Sequence, residues 1–507
     1  MNFPVWDLPF AHGLLMAVVA GLHVFVSHFA IGGGLYLVVM ETLARRREDH
    51  TMLATIRSHS RFFLLLTLVF GAISGVGIWF TASLINPAGL SALIRSFVWA
   101  WAIEWTFFFA EIVAAMVYVY GWDRLSPRKH MAVGWIYFIN GWMSLVVING
   151  ILSFQLTPGE WLQTRDFADG FFNPTYLSSM FVRSFYAIAI AGLFALWTLT
   201  RSGPPEERES RVRMIRTAGI WSAAGIALAA ACTLWWWQDV PEAIRATTGG
   251  DMPISTAVTQ HTPRLAAILA LLVVIFPLAM PRRTNRIVAT VLLLIGLGLM
   301  TGGEWAREAV RKPFIIYDYM YSNGVLVEEV EALRVEGIAA RSPWVDGDEA
   351  DPVVLGEQLF SAACQNCHAR SGYNGLSGRV AGWDQEFTAG MIQRVEYFRR
   401  LMPPWVGTVD EADALAAYLM TLQPEQQPPL TGGEEIFINR CGSCHTLHDT
   451  NSLVDVVEGM SGEELDEFFS DLERDYMPPF TGTDEQRRAL ADWLAAQAAS
   501  TGQEVSR

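Results

Sequence analysis

The chain has 507 residues, of which 52% are hydrophobic and only 17% charged, with 19 Trp, 29 Phe and a formal net charge of −15. Residues 1–303 hold 21 basic and 16 acidic residues and residues 304–507 hold 15 and 35, so the net charge is +5 in the first part and −20 in the second. At about 150 residues per domain the length suggests three domains. Repeated apolar runs of about 20 residues in the first part, each long enough to cross a bilayer, exclude a single soluble domain. The acidic second part argues against nucleic acid or an anionic membrane surface as a partner.

In chain order the hydropathy pattern predicts eight spans, at 9–40, 60–85, 95–120, 131–155, 177–200, 215–237, 264–280 and 286–303. Alternate connections carry 16 basic residues, among them Arg45, Arg46, Arg47, Arg124, Arg128, Lys129, Arg211 and Arg282; the opposite ones carry four, Arg95, Arg165, Arg245 and Arg264. The positive-inside rule puts the basic loops in the cytoplasm and the N-terminus and everything after residue 303 outside. Met1 to Asp7 lacks a basic n-region and the first apolar run is too long for a signal h-region, so span 1 is expected to stay as an anchor. The Trp235–Trp237 cluster fits an interfacial aromatic belt or plain packing.

Residues 304–350 read as a connector with Gly324, Gly337, Pro343 and an acidic run, Asp346–Asp351. An internal repeat follows. Gly356-Glu357-x-x-Phe360-x-x-x-Cys364 is matched 77 residues later by Gly433-Glu434-x-x-Phe437-x-x-x-Cys441, and each copy ends in an amphipathic segment, Ala412–Leu422 and Gln486–Ala496. The expected organisation is a membrane domain over 1–303, a periplasmic connector over 304–350 and two small helical domains over 351–424 and 425–507. The fold class is therefore all-α: a polytopic membrane helix bundle followed by two small helical domains.

Four of the five cysteines lie in Cys364-Gln-Asn-Cys367-His368 and Cys441-Gly-Ser-Cys444-His445. This is the c-type haem attachment spacing, in which two thiols form thioethers to the vinyl groups and the next residue offers its imidazole to iron. A zinc or disulfide site is the alternative for either copy alone. Met402 and Met477, each before paired prolines and 34 and 32 residues after His368 and His445, are the sixth-ligand candidates. The spare methionines are Met391, Met420 and Met460. In this order of ligands the tail resembles class I cytochromes c. Cys232, inside span 6, reads as a small apolar residue.

Polar residues within the spans are costly and so informative: His23 and His28 in span 1, Glu104 and Glu111 seven apart in span 3, and Glu304 and Glu308 one turn apart after span 8. The segments Leu22-His23-Val24-Phe25, Met40-Glu41-Thr42, Gly71-Ala72-Ile73-Ser74-Gly75, Ala102-Ile103-Glu104, Phe108-Phe109-Ala110-Glu111, Gly121-Trp122-Asp123-Arg124-Leu125, His130-Met131 and Glu308-x-x-Arg311-Lys312-Pro313-Phe314 together resemble subunit I of the cytochrome bd oxidases. The resemblance covers most of residues 10–320 and implies an inner-membrane subunit with non-covalent b- or d-type haems, one or two of them here, at which oxygen is reduced. It implies His23 and Glu308 as haem ligands, Glu104 as a carboxylate at the oxygen site and Glu111 as a carboxylate on the proton path. It also implies a second membrane subunit as partner. The two Glu of span 3 stand one residue closer together than in the family.

Two departures bear on function. Arg183 stands where the family has the histidine of its low-spin b haem, and Ala266 where it has the methionine. The loop 238–263 is short and has no counterpart to the quinol-binding loop. A helix-end arginine reaching toward the interface is the bland reading of Arg183. His28 is about 140° around the helix from His23, so the two do not share one iron; it is either the ligand of a second haem or a hydrogen-bonded core residue. His12 and His261 are placed near the outer face and His59 at the interface. The expected function is a terminal oxidase fed by a periplasmic cytochrome or other redox protein through two covalent c-type haems. The alternatives are a quinol:cytochrome c oxidoreductase, with quinol as donor, and a non-catalytic membrane-anchored carrier.

Overall fold

The computed structural model describes residues 6, 8, 10, 12–200, 208–246, 253–372, 374–397, 401–424, 430–448, 452–472 and 477–505. Eight helices among them are long and apolar enough to cross a membrane: α1 His12–Arg46, α2 His50–Ile85, α3 Val98–Tyr120, α4 Pro127–Phe154, α5 Tyr176–Leu199, α6 Arg208–Asp239, α7 Gln260–Ala279 and α8 Arg286–Val310. All eight expected spans are present. Polar residues cap two of the starts: Asp49 accepts from the Met52 N–H at the start of α2, which begins ten residues before its hydropathy window, and Asn285 from Val288 at the start of α8. Both α2 and α7 change to wider π turns part-way, at Leu65–Gly71 and Val274–Ala279; the second holds Pro277, which has no N–H to give to the helix ladder.

The chain divides into two compact units, Leu15–Ser83 with Gly89–Arg311, and Met1–Leu14 and Leu84–Ala88 with Lys312–Arg507. In the first, α5 is the most buried helix. Small residues let its neighbours approach it closely. A Cβ on Gly32 of α1 would meet the Ala187 carbonyl at 1.9 Å, and one on Gly225 of α6 the Ala189 N–H at 2.4 Å. The core so formed is dominated by Phe29, Phe63, Tyr186, Phe194 and Leu196. His59 belongs to this core: its ring is buried edge-on to Phe29 and Tyr36, with Nδ1 2.8 Å from the Thr198 hydroxyl.

The second unit is helical apart from a two-stranded antiparallel pairing of Phe314–Ile316 with Met320–Tyr321 among its described residues. Its first repeat is built from α9 Pro352–Leu359, α10 Gln385–Ile392 and α11 Val409–Thr421, and its second from α12 Gly433–Ile436, α13 Gly462–Ser470 and α14 Asp484–Val505. The repeated glycine has a physical cause. A Cβ on Gly356 would meet the Ala414 carbonyl of α11 at 2.1 Å, and one on Gly433 the Ala489 carbonyl of α14 at 2.4 Å, so in each copy the first helix crosses the last at backbone contact. Gly433→Val is expected to destabilise the second repeat by about 2 kcal/mol or more through overpacking, read from chemical denaturation of the full chain.

Candidate haem and electron-transfer sites

Both haem-attachment segments begin in a π turn, Phe360–Cys364 and Phe437–Cys441, directly after the close helix crossing. The chain then tightens so that the His368 and His445 N–H groups donate to the Cys364 and Cys441 carbonyls, each at 2.9 Å. His368 Nδ1 lies 3.1 Å from the Asn374 carbonyl, an acceptor only, so Nδ1 carries the proton and Nε2 keeps the lone pair. Asn374 is itself held by donating to the Cys367 carbonyl and accepting from Arg379. Burial pushes the His368 imidazole down to about 4, favouring the neutral, ligating form, and pushes the Cys364 and Cys441 thiols up to about 12. Among the described residues no three His, Cys, Asp or Glu side chains converge as an ion site.

Met402 is half-buried against Phe387 and Met391, in a small cluster that also takes in Trp383, Val395 and Cys444 of the second motif. Met477 is half-buried in an extended stretch before Pro478. Of the spare methionines, Met391 is fully buried in that cluster, Met420 accepts from Gln423, and Met460 packs in the second core. The two repeats are clamped together. Trp383 donates to the Asn439 carbonyl, Asn439 to the Ala381 carbonyl and Arg440 to the Gly382 carbonyl, while Asp384 accepts from Thr481. Arg440, next to Cys441, also lies over the Phe387 ring at 4.5 Å. Met402 and the second Cys-x-x-Cys-His segment thus meet in one apolar cluster, which spacing alone did not indicate.

In the membrane unit, His23 Nδ1 is 3.1 Å from the Ser74 hydroxyl, and a Cβ on Gly75 would meet its ring at 3.1 Å. The Ser74-Gly75 pair of α2 is therefore the seat of this imidazole, and the half-buried ring fits a haem ligand whose orientation is fixed from behind. Glu104 accepts from the Ser144 hydroxyl at 2.8 Å, and Glu111 from the Tyr137 hydroxyl at 2.8 Å, with Gly141 leaving room for its carboxylate. His28 is buried, with Nδ1 2.6 Å from the Val24 carbonyl, Nε2 without a hydrogen-bond partner and Tyr186 edge-on beside it. His12 is buried in the other unit, while His261 is exposed and accepts from Arg264. Ala266 is half-buried.

The residues around Arg183 form a ladder. Its guanidinium pairs with Glu304 at 2.7 Å; Glu304 also takes Arg307 at 3.1 Å; Arg307 reaches Glu308 at 2.8 Å; and Glu308 pairs with Arg311, which bonds Gln155. The pairing partner, not the interface, accounts for Arg183. Each oxygen of Glu308 accepts from one guanidinium, Arg307 or Arg311, and keeps a further lone pair that could face a metal. The Gly121-Trp122-Asp123-Arg124 segment is a tie to α2: Trp122 donates to Ser60 and Asp123 pairs with Arg57.

Membrane helices carrying buried histidine and carboxylates, joined to tandem Cys-x-x-Cys-His domains, define a membrane-bound haem protein of electron transport. Residues 13–240 match the family described as cytochrome bd terminal oxidase subunit I, and residues 352–419 and 428–494 match the family described as cytochrome C oxidase, cbb3-type, subunit III. The first part of the chain is thus similar to subunit I of cytochrome bd oxidases and the tail to a pair of cytochrome c domains. A relative from Bacillus subtilis (strain 168), described as a putative cytochrome bd menaquinol oxidase subunit I, is 25% identical over 179 residues, which is 34% of this chain and 39% of the relative. This match spans well under half of that relative's length. The structure of bd oxidase from Geobacillus thermodenitrificans shares the fold with a TM-score of 0.50 and 15% identity, over 61% of this chain and 89% of that one.

Removal of Arg183 as Arg183→Leu is expected to leave Glu304 short of one cation and cost about 3 kcal/mol. The double substitution Arg183→Leu with Glu304→Gln should recover part of the loss; thermal unfolding of the purified protein checks both.

Proposed function

We propose that this chain is the main subunit of a terminal oxidase whose electrons arrive through the two cytochrome c domains and not from quinol. The observation that carries the reading is the ion pair of Arg183 with Glu304, which fills with two charged side chains the place where the resemblance puts a haem-ligating histidine. When bound, haem supplies one-electron carriers in the cytochrome domains and an iron centre for oxygen in the membrane domain.

The protein's own residues hold those groups and handle protons. Cys364 and Cys367, and Cys441 and Cys444, would attach the two c-type haems covalently, and His368 with Met402, and His445 with Met477, would hold their irons. In the membrane, His23, held by Ser74, and Glu308 would hold a haem. Glu104, held by Ser144, faces the oxygen site, and Glu111, held by Tyr137, hands protons toward it. The net charge of −20 after residue 303 attracts a basic donor such as a soluble cytochrome, and the positive-inside count puts these domains on the periplasmic side. A second membrane subunit completes the complex.

Two measurements test this. On denaturing gels the wild-type chain should keep peroxidase-active haem and Cys364→Ala/Cys367→Ala about half of it, whereas no haem on either means non-covalent binding. Oxygen turnover of the intact complex should fall on the order of a hundredfold in Glu104→Gln and Glu308→Ala; unchanged turnover would make the membrane part a scaffold.

A further inference from the structure

The 77-residue offset of the tail extends beyond its cysteines. Asp384 caps α10 by accepting from the Phe387 N–H, and Ser461, 77 residues on, caps α13 by accepting from Glu464. The two helices are therefore the same element of the repeat, yet their outer faces differ. That of α10 is an interface. Asp384 accepts from Thr481 and lies 3.5 Å from Arg440, the Arg440 guanidinium lies over the Phe387 ring at 4.5 Å, and a Cβ on Gly390 would meet Pro478 at 3.2 Å. The second repeat thus seats itself on the first through a cation next to its own haem-attachment cysteine, which brings Cys444 into the cluster around Met402.

Head-to-tail seating leaves one face open at the end of the series. Carried forward by 77, the seat is Ser461, Glu464, Glu467 and Phe468 on α13. All four are exposed, while Leu465 and Phe469 behind them are buried and Asp466 is taken by Arg487 and Arg488 of α14. The charge is graded in the same sense. Residues 351–424 hold 5 basic and 8 acidic residues and residues 425–507 hold 5 and 17, so the net charge is −3 in the first repeat and −12 in the second. The first motif is engaged elsewhere: Gln365 is buried and donates to the Trp6 carbonyl, ahead of α1, at 3.5 Å. A second copy of this chain does not supply the missing guest, because the face that bears Arg440 is already covered by its own first repeat, leaving that side chain 10% exposed.

We infer that the outer face of α13 is where the electron donor docks, and that the donor is a small basic c-type cytochrome that repeats the seating of the second repeat on the first. This rests on the cytochrome-fed function proposed above. A lysine or arginine beside the donor's haem meets Glu464 and Glu467 as Arg440 meets Asp384, and an apolar rim of the donor covers Phe468. The seat adjoins the segment that carries the sixth-ligand candidate, because Met477 follows α13 as Met402 follows α10. The donor is oxidised by one electron, which reduces the c-type haem attached at Cys441 and Cys444 and passes from there to the first repeat. Charge steers the encounter and Phe468 supplies the contact, so association is fast and salt-sensitive.

The test is stopped-flow oxidation of a reduced basic soluble cytochrome c by the purified complex, at low and at physiological salt, with c-type haem content measured on each sample. Glu467→Lys with Phe468→Ala should slow the second-order step about tenfold or more at low salt and flatten its salt dependence, while turnover with ascorbate-reduced phenylenediamine, which needs no docking, stays unchanged. Acetylating the lysines of the cytochrome should slow the wild-type chain in the same way. The control is Glu463→Lys, the same change of charge beside the seat, at the counterpart of the exposed Glu386 of the first repeat; it should cost no more than about twofold. Equal slowing in Glu463→Lys, or an unchanged rate in the double variant, would overturn the docking face. If the double variant loses haem, Glu467→Gln decides, at about threefold slower. Oxygen uptake is a separate readout: a wild-type chain that trades electrons with the cytochrome and takes up no oxygen would overturn the oxidase reading, and the same variants would still decide the docking face.

Discussion

A guanidinium or carboxylate buried in a membrane domain must find an opposite charge, and the Arg183–Glu304–Arg307–Glu308–Arg311 ladder is how this protein meets that constraint. Three cations share two carboxylates, and Gln155 takes the end of the series. The ladder joins α5 to the last turns of α8 and reaches α4 through the Leu152 carbonyl. It fixes the corner of the bundle in which the proposed haem ligand Glu308 sits, and in the proposed reading it takes the place of a haem-ligating histidine.

The tail complements that loss. Two copies of one small helical unit, each opened by a glycine at a backbone crossing and a π turn into Cys-x-x-Cys-His, are welded through Trp383, Asp384, Asn439 and Arg440. Because Met402 and Cys444 share one apolar cluster, the two proposed haem pockets are built as one unit and not as beads on a linker. Their strongly negative charge suits a basic donor and is unsuited to an anionic lipid surface.

The parts of this architecture set by local pattern were legible in the sequence. Apolar runs of bilayer length declared all eight spans, and the 77-residue repeat with its cysteine spacing declared the tail. What pairs with what was not legible, because the partners lie far apart in the chain. Arg183 was visible as a substitution, yet nothing near it names Glu304; Glu41 and His130 were visible inside family-like segments, yet their hydrogen bond depends on how α1 and α4 meet. The burial of His59 was not legible either, because its position at a basic helix end says nothing of the Thr198 hydroxyl on α5. The reason for Gly356 and Gly433 likewise became visible only as the carbonyls of Ala414 and Ala489.

The central claim is the replaced electron entrance, and the most direct measurement compares oxygen uptake by the intact complex with a reduced soluble cytochrome c and with a reduced quinol as sole donor. The account predicts uptake with the cytochrome and none with the quinol. Quinol-driven reduction of the c-type haems, with no oxygen uptake from either donor, would contradict it and reverse the direction of electron flow.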